Sequence, residues 1–162
     1  MCLYLYNKKE KTRKTAQKDI TCWKILVQYR SVIDPNEMRF ESIFERYPYQ
    51  LNCVMRDTNR EDIIEVDREK DIRGDYPTMV NGGFFHTYVK KKDAVKDAMV
   101  WGKMQSVDRN CIVVKCIIPK DTEYYEGAFK VTRNGLIVRS YASKSLRVTD
   151  EVSVFVNETY NN

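Results

Sequence analysis

The spacing of apolar residues predicts strands over most of the chain. The strongest strand signal covers residues 111–118 (CIVVKCII), which are apolar at every position except Lys115 and are followed by Pro119. A continuous apolar run is typical of a strand covered on both faces, and proline cannot donate to a ladder beyond it. Residues 19–29 (DITCWKILVQY) are rich in β-branched and aromatic side chains and predict a second long strand.

Weaker patterns predict further strands. Residues 3–6 form a short strand-like start, and residues 145–156 predict a last strand in which valines alternate in burial. Asn134-Gly135 indicates a two-residue hairpin turn between two strands. Residues 38–46 are interpreted as extended, with a helix as the alternative.

One helix is predicted, over about residues 93–105. Ala94, Val95, Ala98, Met99 and Trp101 are spaced to form an apolar stripe, and Asp93 is placed to cap the first turn. One helix among about seven strands predicts an α+β domain with a mostly antiparallel sheet. The length of 162 residues favours a single domain over residues 1–162.

Composition indicates a soluble cytoplasmic protein. With 43% apolar and 31% charged residues the chain resembles globular proteins. No apolar run approaches the roughly 20 residues of a membrane helix, and the first residues run directly into lysines rather than through a signal-peptide core. These observations predict a cytoplasmic location without a membrane partner.

The five cysteines favour reduced thiols over a disulfide framework. They are odd in number and include no C-x-x-C pair. Cys111 and Cys116 are five residues apart, so strand alternation predicts that they point to opposite faces. A zinc site built from Cys2, Cys22 and His86 is an alternative, but no local pair has ligand spacing, and we expect no metal and no cofactor.

The net charge of +5 is concentrated in residues 8–18, which hold six basic residues and one acidic residue. Such a run can bind phosphate through counterion release. The preferred interpretation is a solvated basic surface segment, because aromatic residues are not interleaved with it. Sequence-specific nucleic-acid binding is therefore not expected. Residues 57–76 predict a polar surface excursion and residues 157–162 a frayed tail.

Candidate chemistry is concentrated between residues 81 and 143. A glycine pair can present backbone amides to an anion, although the dinucleotide and P-loop fingerprints are absent. His86 is the only histidine, and tyrosines, a carboxylate and a serine hydroxyl follow it along the chain. The predicted ligand-binding residues are Gly82, Gly83, Phe84, His86, Tyr124, Tyr125 and Ser140. The candidate catalytic residues are His86 and Glu126.

Cys2 suggests a separate possibility. Removal of the initiator methionine would leave a thiol beside its own amine, the arrangement of N-terminal-nucleophile hydrolases. The short first strand does not provide the long first hairpin of those folds.

Five segments of the chain carry a family resemblance: MCLY at 1–4, DITCWK at 19–24, GFFH at 83–86, VVKCIIPK at 113–120 and SYAS at 140–143. They resemble segments of a group of small uncharacterised proteins from gut Bacteroidales and their phages. The resemblance covers most of the chain and implies an accessory-genome setting, with a host or phage protein as a partner to consider. It implies no activity.

A more distant likeness rests on the order of three features: Gly83-Phe84, the helix alanines Ala94 and Ala98, and residues 119–122 (PKDT). This order resembles that of ADP-ribosyltransferase domains. The family's catalytic glutamate has no clear counterpart, Glu126 and Glu151 being the nearest, and the S-T-S motif is absent. The likeness therefore favours a relative that binds a nucleotide without turning it over.

Three functions follow as hypotheses. The first is a small protein that binds a phosphate-bearing, nucleotide-like ligand and sequesters a signalling nucleotide. The second is an enzyme acting on NAD or another nucleotide, with His86 and Glu126 in acid–base roles. The third is a protein-interaction module without a small-molecule site.

Overall fold

The computed structural model describes residues 3–43, 46–56, 62, 64–66, 77–105, 109–131 and 137–156. These residues form thirteen strands and one helix. In chain order they are β1 (Leu3–Leu5), β2 (Lys14–Thr15), β3 (Ile20–Arg30), β4 (Met38–Ser42), β5 (Pro48–Tyr49), β6 (Val54–Arg56), β7 (Ile64–Val66), β8 (Thr78–Val80), β9 (Phe85–Tyr88), α1 (Lys91–Gly102), β10 (Asn110–Ile118), β11 (Glu123–Val131), β12 (Ile137–Ser143) and β13 (Ser145–Val156).

The strands form one sheet in the order β6-β13-β10-β3-β9-β12-β11-β1-β8-β7, with β2 added to β11, β4 added to β3, and β5 added to β4. Every pairing between the described strands is antiparallel. This confirms a single α+β domain with a mostly antiparallel sheet. The predicted number of about seven strands is wrong. Six of the thirteen strands are only two or three residues long, too short to leave a period in the sequence.

The central strand β10 is covered on both sides, as its apolar run predicts. Cys111 and Val113 pack with Ala94 and Ala98 of α1, and we call this the helix side of the sheet. Ile112, Val114 and Cys116 point the other way, into a cluster with Leu146 and Phe85, which we call the opposite side. The prediction that Cys111 and Cys116 lie on opposite faces is confirmed.

Helix α1 covers the helix side through its smallest residues. Ala94 and Ala98 are fully buried, whereas Met99 is 55% exposed, so the predicted stripe is wrong at Met99. The predicted cap is also wrong, because Lys90 is the N-cap residue and makes no side-chain cap hydrogen bond, while Asp93 lies in the first turn. The Tyr88 hydroxyl donates a 3.0 Å hydrogen bond to Asp97 Oδ2, which ties the helix to β9.

Residues 123–131 form one continuous strand, β11, which pairs with β12 as a hairpin. The Asn134-Gly135 turn lies outside the described residues. Strand β1 crosses β11 closely at Gly127, where an added Cβ would lie 2.4 Å from the main-chain oxygen of Tyr4. Beside this crossing is a third apolar cluster, formed by Leu3, Leu5, Val80, Phe84, Tyr125 and Ala142.

Residues 38–42 are extended as β4, which decides against the helical alternative there. In the segment 8–18, Lys8, Lys9 and Lys11 are exposed, but Glu10 and Ala16 are buried and β2 pairs with β11. The basic segment is therefore partly docked on the sheet and is not a loop throughout. Of the polar excursion, β7 and residue 62 are described; the tail at 157–162 lies outside the described residues.

Strands β12 and β13 follow each other with only Lys144 between them. In the sheet, however, β9, β3 and β10 separate them. The main-chain N–H of Lys144 donates to Glu123 O over 3.0 Å, so the link is fastened to the start of β11. Lys144 thus lies at a fixed point where β12 ends and where β13 and β11 begin.

Candidate functional site

The glycine pair forms a turn that leads into β9. Gly83 has a φ of 74°, in the left-handed region where glycine is the favoured residue. The His86 ring braces this turn, because its Nε2–H donates to Asn81 O over 3.0 Å and the side chain is buried. The geometry therefore gives His86 a bracing contact within this turn.

Two buried rings lie behind the turn. Phe84 and Tyr125 meet edge to face, with centroids 5.6 Å apart and an interplanar angle of 68°. This is a favoured aromatic geometry. Both residues belong to the third apolar cluster and are under 10% exposed. The rings form the floor of the site, and the Tyr125 hydroxyl is its polar edge.

Two cations lie over these rings. The Arg13 guanidinium carbon is 5.8 Å from the Phe84 centroid and 5.6 Å from the Tyr125 centroid, and Lys144 Nζ is 4.4 Å from the Phe84 centroid. Both are within cation–π range. Arg13 Nε also donates to the Tyr125 hydroxyl over 3.3 Å, and Lys144 Nζ donates to Gly83 O over 2.9 Å. Rings and main chain therefore fix both cations.

The main chain explains why these cations meet. Arg13 immediately precedes β2, which pairs with the first residues of β11. Lys144 immediately follows β12, and its N–H is bonded to Glu123 O at the start of the same strand β11. Residues more than 100 positions apart in sequence are thereby brought to one end of β11.

Two carboxylates complete the group. Asp62 Oδ2 lies 2.8 Å from Arg13 Nη2, and Asp62 Oδ1 accepts from Lys144 Nζ. Glu123 Oε2 lies 3.2 Å from Arg13 Nη1. Burial raises the pKa of Asp62, but hydrogen bonds from Lys144 and Arg13 outweigh it and lower that pKa overall. We call Arg13, Lys144, Asp62, Phe84 and Tyr125 the Arg13–Lys144 cluster.

The structure brings four of the predicted ligand-binding residues together at this cluster, namely Gly82, Gly83, Phe84 and Tyr125. Ser140 lies on the same side of the sheet as Tyr125, two residues before Ala142, but it is only 1% exposed. Its hydroxyl is therefore not accessible to a ligand in this arrangement.

Tyr124 and Tyr125 were both predicted as ligand-binding residues, but the structure does not bring them to one site. Consecutive strand residues point to opposite faces. Tyr124 lies on the opposite side, where its ring meets Tyr141 at 5.6 Å and Lys14 Nζ lies 5.9 Å from its centroid.

Glu126 belongs to a separate ion-pair network on the opposite side. Its oxygens lie 2.9 Å from Lys14 Nζ and 3.4 Å from Arg139 Nη2, and Arg139 Nη1 lies 2.8 Å from Glu10 Oε1. Burial raises the pKa of Glu126, but the hydrogen bonds from Lys14 and Arg139 outweigh it and lower that pKa. The carboxylate is held ionised, which suits a structural ion pair.

The candidate catalytic pair is not assembled. His86 pairs with Ala142 and Glu126 pairs with Tyr141, so β12 separates them. By alternation, His86 points to the helix side and Glu126 to the opposite side. The two side chains cannot contact one substrate proton in this fold.

We expect Glu126→Gln to lower the free energy of unfolding at pH 7, by removing the part of it that is lost in acid. A lowered folded-state pKa stabilises the fold above the ordinary carboxyl pKa, and this contribution is lost as pH falls through the folded value. Because the pair is partly exposed, the expected loss at pH 7 is about 1 kcal/mol. Urea unfolding between pH 3 and pH 7 measures it. Glu151→Gln, which alters the exposed Lys115–Glu151 pair, is the matched control. Equal pH profiles for the two variants would contradict the prediction.

Of the described cysteines, Cys22, Cys111 and Cys116 are buried thiols, whereas Cys53 is exposed. Cys22 and Cys116 face each other across β3 and β10 on the opposite side, and burial raises the pKa of Cys22 to about 12. His86 points to the helix side, so it does not converge with Cys22 on one ion. Within the described part of the chain, no group of three potential ligands could hold a metal. Cys2 lies outside the described residues, so the N-terminal-nucleophile possibility has no geometry to support it.

Arg13, Lys144 and Asp62 were not predicted as site residues. Arg13 carried a partial signal, because it lies in the basic segment 8–18. Lys144 and Asp62 carried none, since their contacts join positions 82 residues apart.

Comparison with known proteins adds no relative. No protein-family model matches the chain, and neither a curated protein nor a solved structure matches it. In the described part of the chain, no helix has the length and apolar character needed to cross a membrane. The site is therefore interpreted from its own contacts.

Proposed function

We propose that this protein binds a phosphate-bearing, nucleotide-like small molecule at the Arg13–Lys144 cluster. The observation that carries the proposal is the convergence of Arg13 and Lys144 on one carboxylate, Asp62. A guanidinium and an ammonium that meet at one anionic group provide the donors that phosphate oxygens accept.

Preorganisation supports the proposal. Arg13 is held by the Tyr125 hydroxyl and Lys144 by Gly83 O, and both lie over buried rings. Holding donors in place before binding lowers the entropy cost of association. Their side chains are still 34% and 23% exposed, which leaves them accessible to a ligand.

The phosphate is the part of the ligand that these contacts specify. Phe84 and Tyr125 are buried beneath the cations, so they support the donors rather than offer an open ring for stacking. In this proposal the protein sequesters a signalling nucleotide, a role suggested only by the accessory-genome setting that the resemblance to phage and Bacteroidales proteins implies. Turnover by His86 and Glu126 is disfavoured because β12 separates them.

The test combines binding with charge removal. Thermal shift and calorimetry against mononucleotides, cyclic dinucleotides and NAD derivatives should identify a stabilising ligand. We expect the double variant Arg13→Gln, Lys144→Gln to weaken that ligand tenfold or more, because each charge-assisted hydrogen bond contributes about 1.5–3 kcal/mol.

Lys9→Gln, Lys11→Gln is the matched control, since it removes the same charge from exposed positions in the neighbouring segment. Its affinity should change less than threefold, about 0.65 kcal/mol. Absence of stabilisation by the whole panel would overturn the proposal, and equal weakening in both variants would show unspecific charge attraction only.

A protein-interaction module is the second candidate. Val32 and Ile33 are 96% and 88% exposed beyond the end of β3, an unusual position for two adjacent apolar residues. Residues of both signs surround them, including Asp34, Glu37 and Arg39. This apolar pair does not define the chemistry of a partner, whereas the Arg13–Lys144 cluster defines that of an anion. We therefore prefer the ligand-binding function.

A further inference from the structure

Asp62 occupies the position in the Arg13–Lys144 cluster where a ligand's anionic group would lie. One of its oxygens accepts from Arg13 Nη2 at 2.8 Å and the other accepts from Lys144 Nζ. A carboxylate that uses both oxygens on two different cations imitates two oxygens of a phosphate group.

The cations do not depend on Asp62 for their placement. Arg13 retains Tyr125, Glu123 and the two rings, and Lys144 retains Gly83 O and the Phe84 ring. Removing the Asp62 carboxylate would therefore leave both cations in position. The N–H groups that now donate to Asp62 would then be free to bind another anion.

Charge balance points the same way. When the neighbouring Glu123 is counted with the cluster, the two positive charges of Arg13 and Lys144 are formally balanced by Asp62 and Glu123 while Asp62 is in place. An approaching phosphate meets a net attraction only after the Asp62 carboxylate has left the cations. Binding and the Asp62 contacts are thus mutually exclusive at the same donor hydrogens.

We propose that the Asp62 carboxylate is a built-in competitor that sets the affinity of the cluster for phosphate-bearing ligands. The inference rests on the proposed function, because it concerns the regulation of the same site. If the cluster with Asp62 bound is the dominant form, apparent affinity falls in proportion to the fraction of cluster that is free. Affinity should then rise when the competing carboxylate is removed.

The test is calorimetric titration of the full chain with inorganic pyrophosphate and with ADP. We expect Asp62→Asn to bind about fivefold more tightly than the wild type, and Asp62→Ala to do so as well, because alanine also removes the residual amide contact. Glu37→Gln is the matched control. It removes one carboxylate from the exposed Glu37–Arg39 pair and changes net charge equally.

The outcomes separate the two proposals. Tighter binding in both Asp62 variants, with unchanged binding in Glu37→Gln, supports the competitor. Unchanged or weaker binding in folded Asp62 variants overturns it, while detectable wild-type binding leaves the proposed function in place. If neither the wild type nor an Asp62 variant binds pyrophosphate, ADP or the wider nucleotide panel, both proposals fail. Thermal unfolding of each variant establishes that it is folded, and Asp62→Ala provides the answer if Asp62→Asn is not.

Discussion

Gly127→Ala should destabilise the protein by about 3 kcal/mol, at the upper end of overpacking costs. The added Cβ would lie 2.4 Å from Tyr4 O and 2.8 Å from Leu5 Cδ2. A side chain can rotate away from such a contact, but a main-chain oxygen in a paired strand cannot. Urea unfolding at pH 7 measures this loss of stability. We expect the added Cβ to displace β1 from β11.

Combining Gly127→Ala with Leu5→Val distinguishes the two clashes. The shorter side chain relieves the contact with Leu5 and leaves that with Tyr4 O unchanged. We therefore expect the double variant to be no more stable than Gly127→Ala alone. Recovery of wild-type stability would show that the limiting contact is with the side chain and would contradict the backbone explanation.

Tyr88→Phe should cost about 2 kcal/mol, because it removes a hydrogen bond to a charged group inside the protein. Tyr88 is fully buried, and its hydroxyl donates to Asp97 of α1 over 3.0 Å. The phenylalanine ring preserves the apolar packing against Phe129, so the loss reports the hydroxyl. Chemical unfolding followed by tyrosine and tryptophan fluorescence measures it.

Alkaline pH provides a second readout for the same variant. Burial, followed by the neighbouring Asp97 charge, raises the pKa of Tyr88 above its ordinary value of 10. A raised folded-state pKa stabilises the fold below the ordinary value, and that contribution is lost as pH rises above it. The variant should lose less stability above about pH 10 than the wild type. Tyr124→Phe, on the opposite side, is the matched control and should change stability by less than about 0.5 kcal/mol. Equal losses in both variants would contradict the role of the Tyr88–Asp97 bond.

Long apolar segments predicted the centre of the fold. The continuous apolar run of β10 and the β-branched composition of β3 indicate that both strands are buried on both sides. This signal lies in the residues of each strand itself. The helix was recognisable from Ala94 and Ala98 at helical spacing, although Met99 turned to solvent. Burial of a long element is encoded locally, so the sequence reveals it.

Short strands could not be predicted in the same way. Strands such as β2 and β5 contain two residues each and exist because a longer neighbour offers main-chain donors and acceptors. Two residues cannot display a period. Their formation is a property of the assembled sheet rather than of their own sequence.

The candidate site shows the same difference between residues that local sequence identifies and residues that only the folded sheet brings together. Gly83 and Phe84 were found because a glycine pair before aromatic residues has a local conformational meaning. The error at Tyr124 was avoidable, since alternation alone separates it from Tyr125. The contacts that join Arg13, Asp62 and Lys144 span 49 and 82 positions, and spacing along one chain contains no information about such encounters.

The single-residue link at Lys144 has a consequence for the shape of the sheet. In a flat sheet β12 and β13 would lie four strand spacings apart, about 19 Å, whereas two consecutive Cα steps reach only about 7 Å. The sheet must therefore curl around its opposite-side cluster until β12 and β13 meet at Lys144. Lys144 therefore has two places in the structure: its side chain belongs to the Arg13–Lys144 cluster, and its backbone joins the two strands that close the curled sheet.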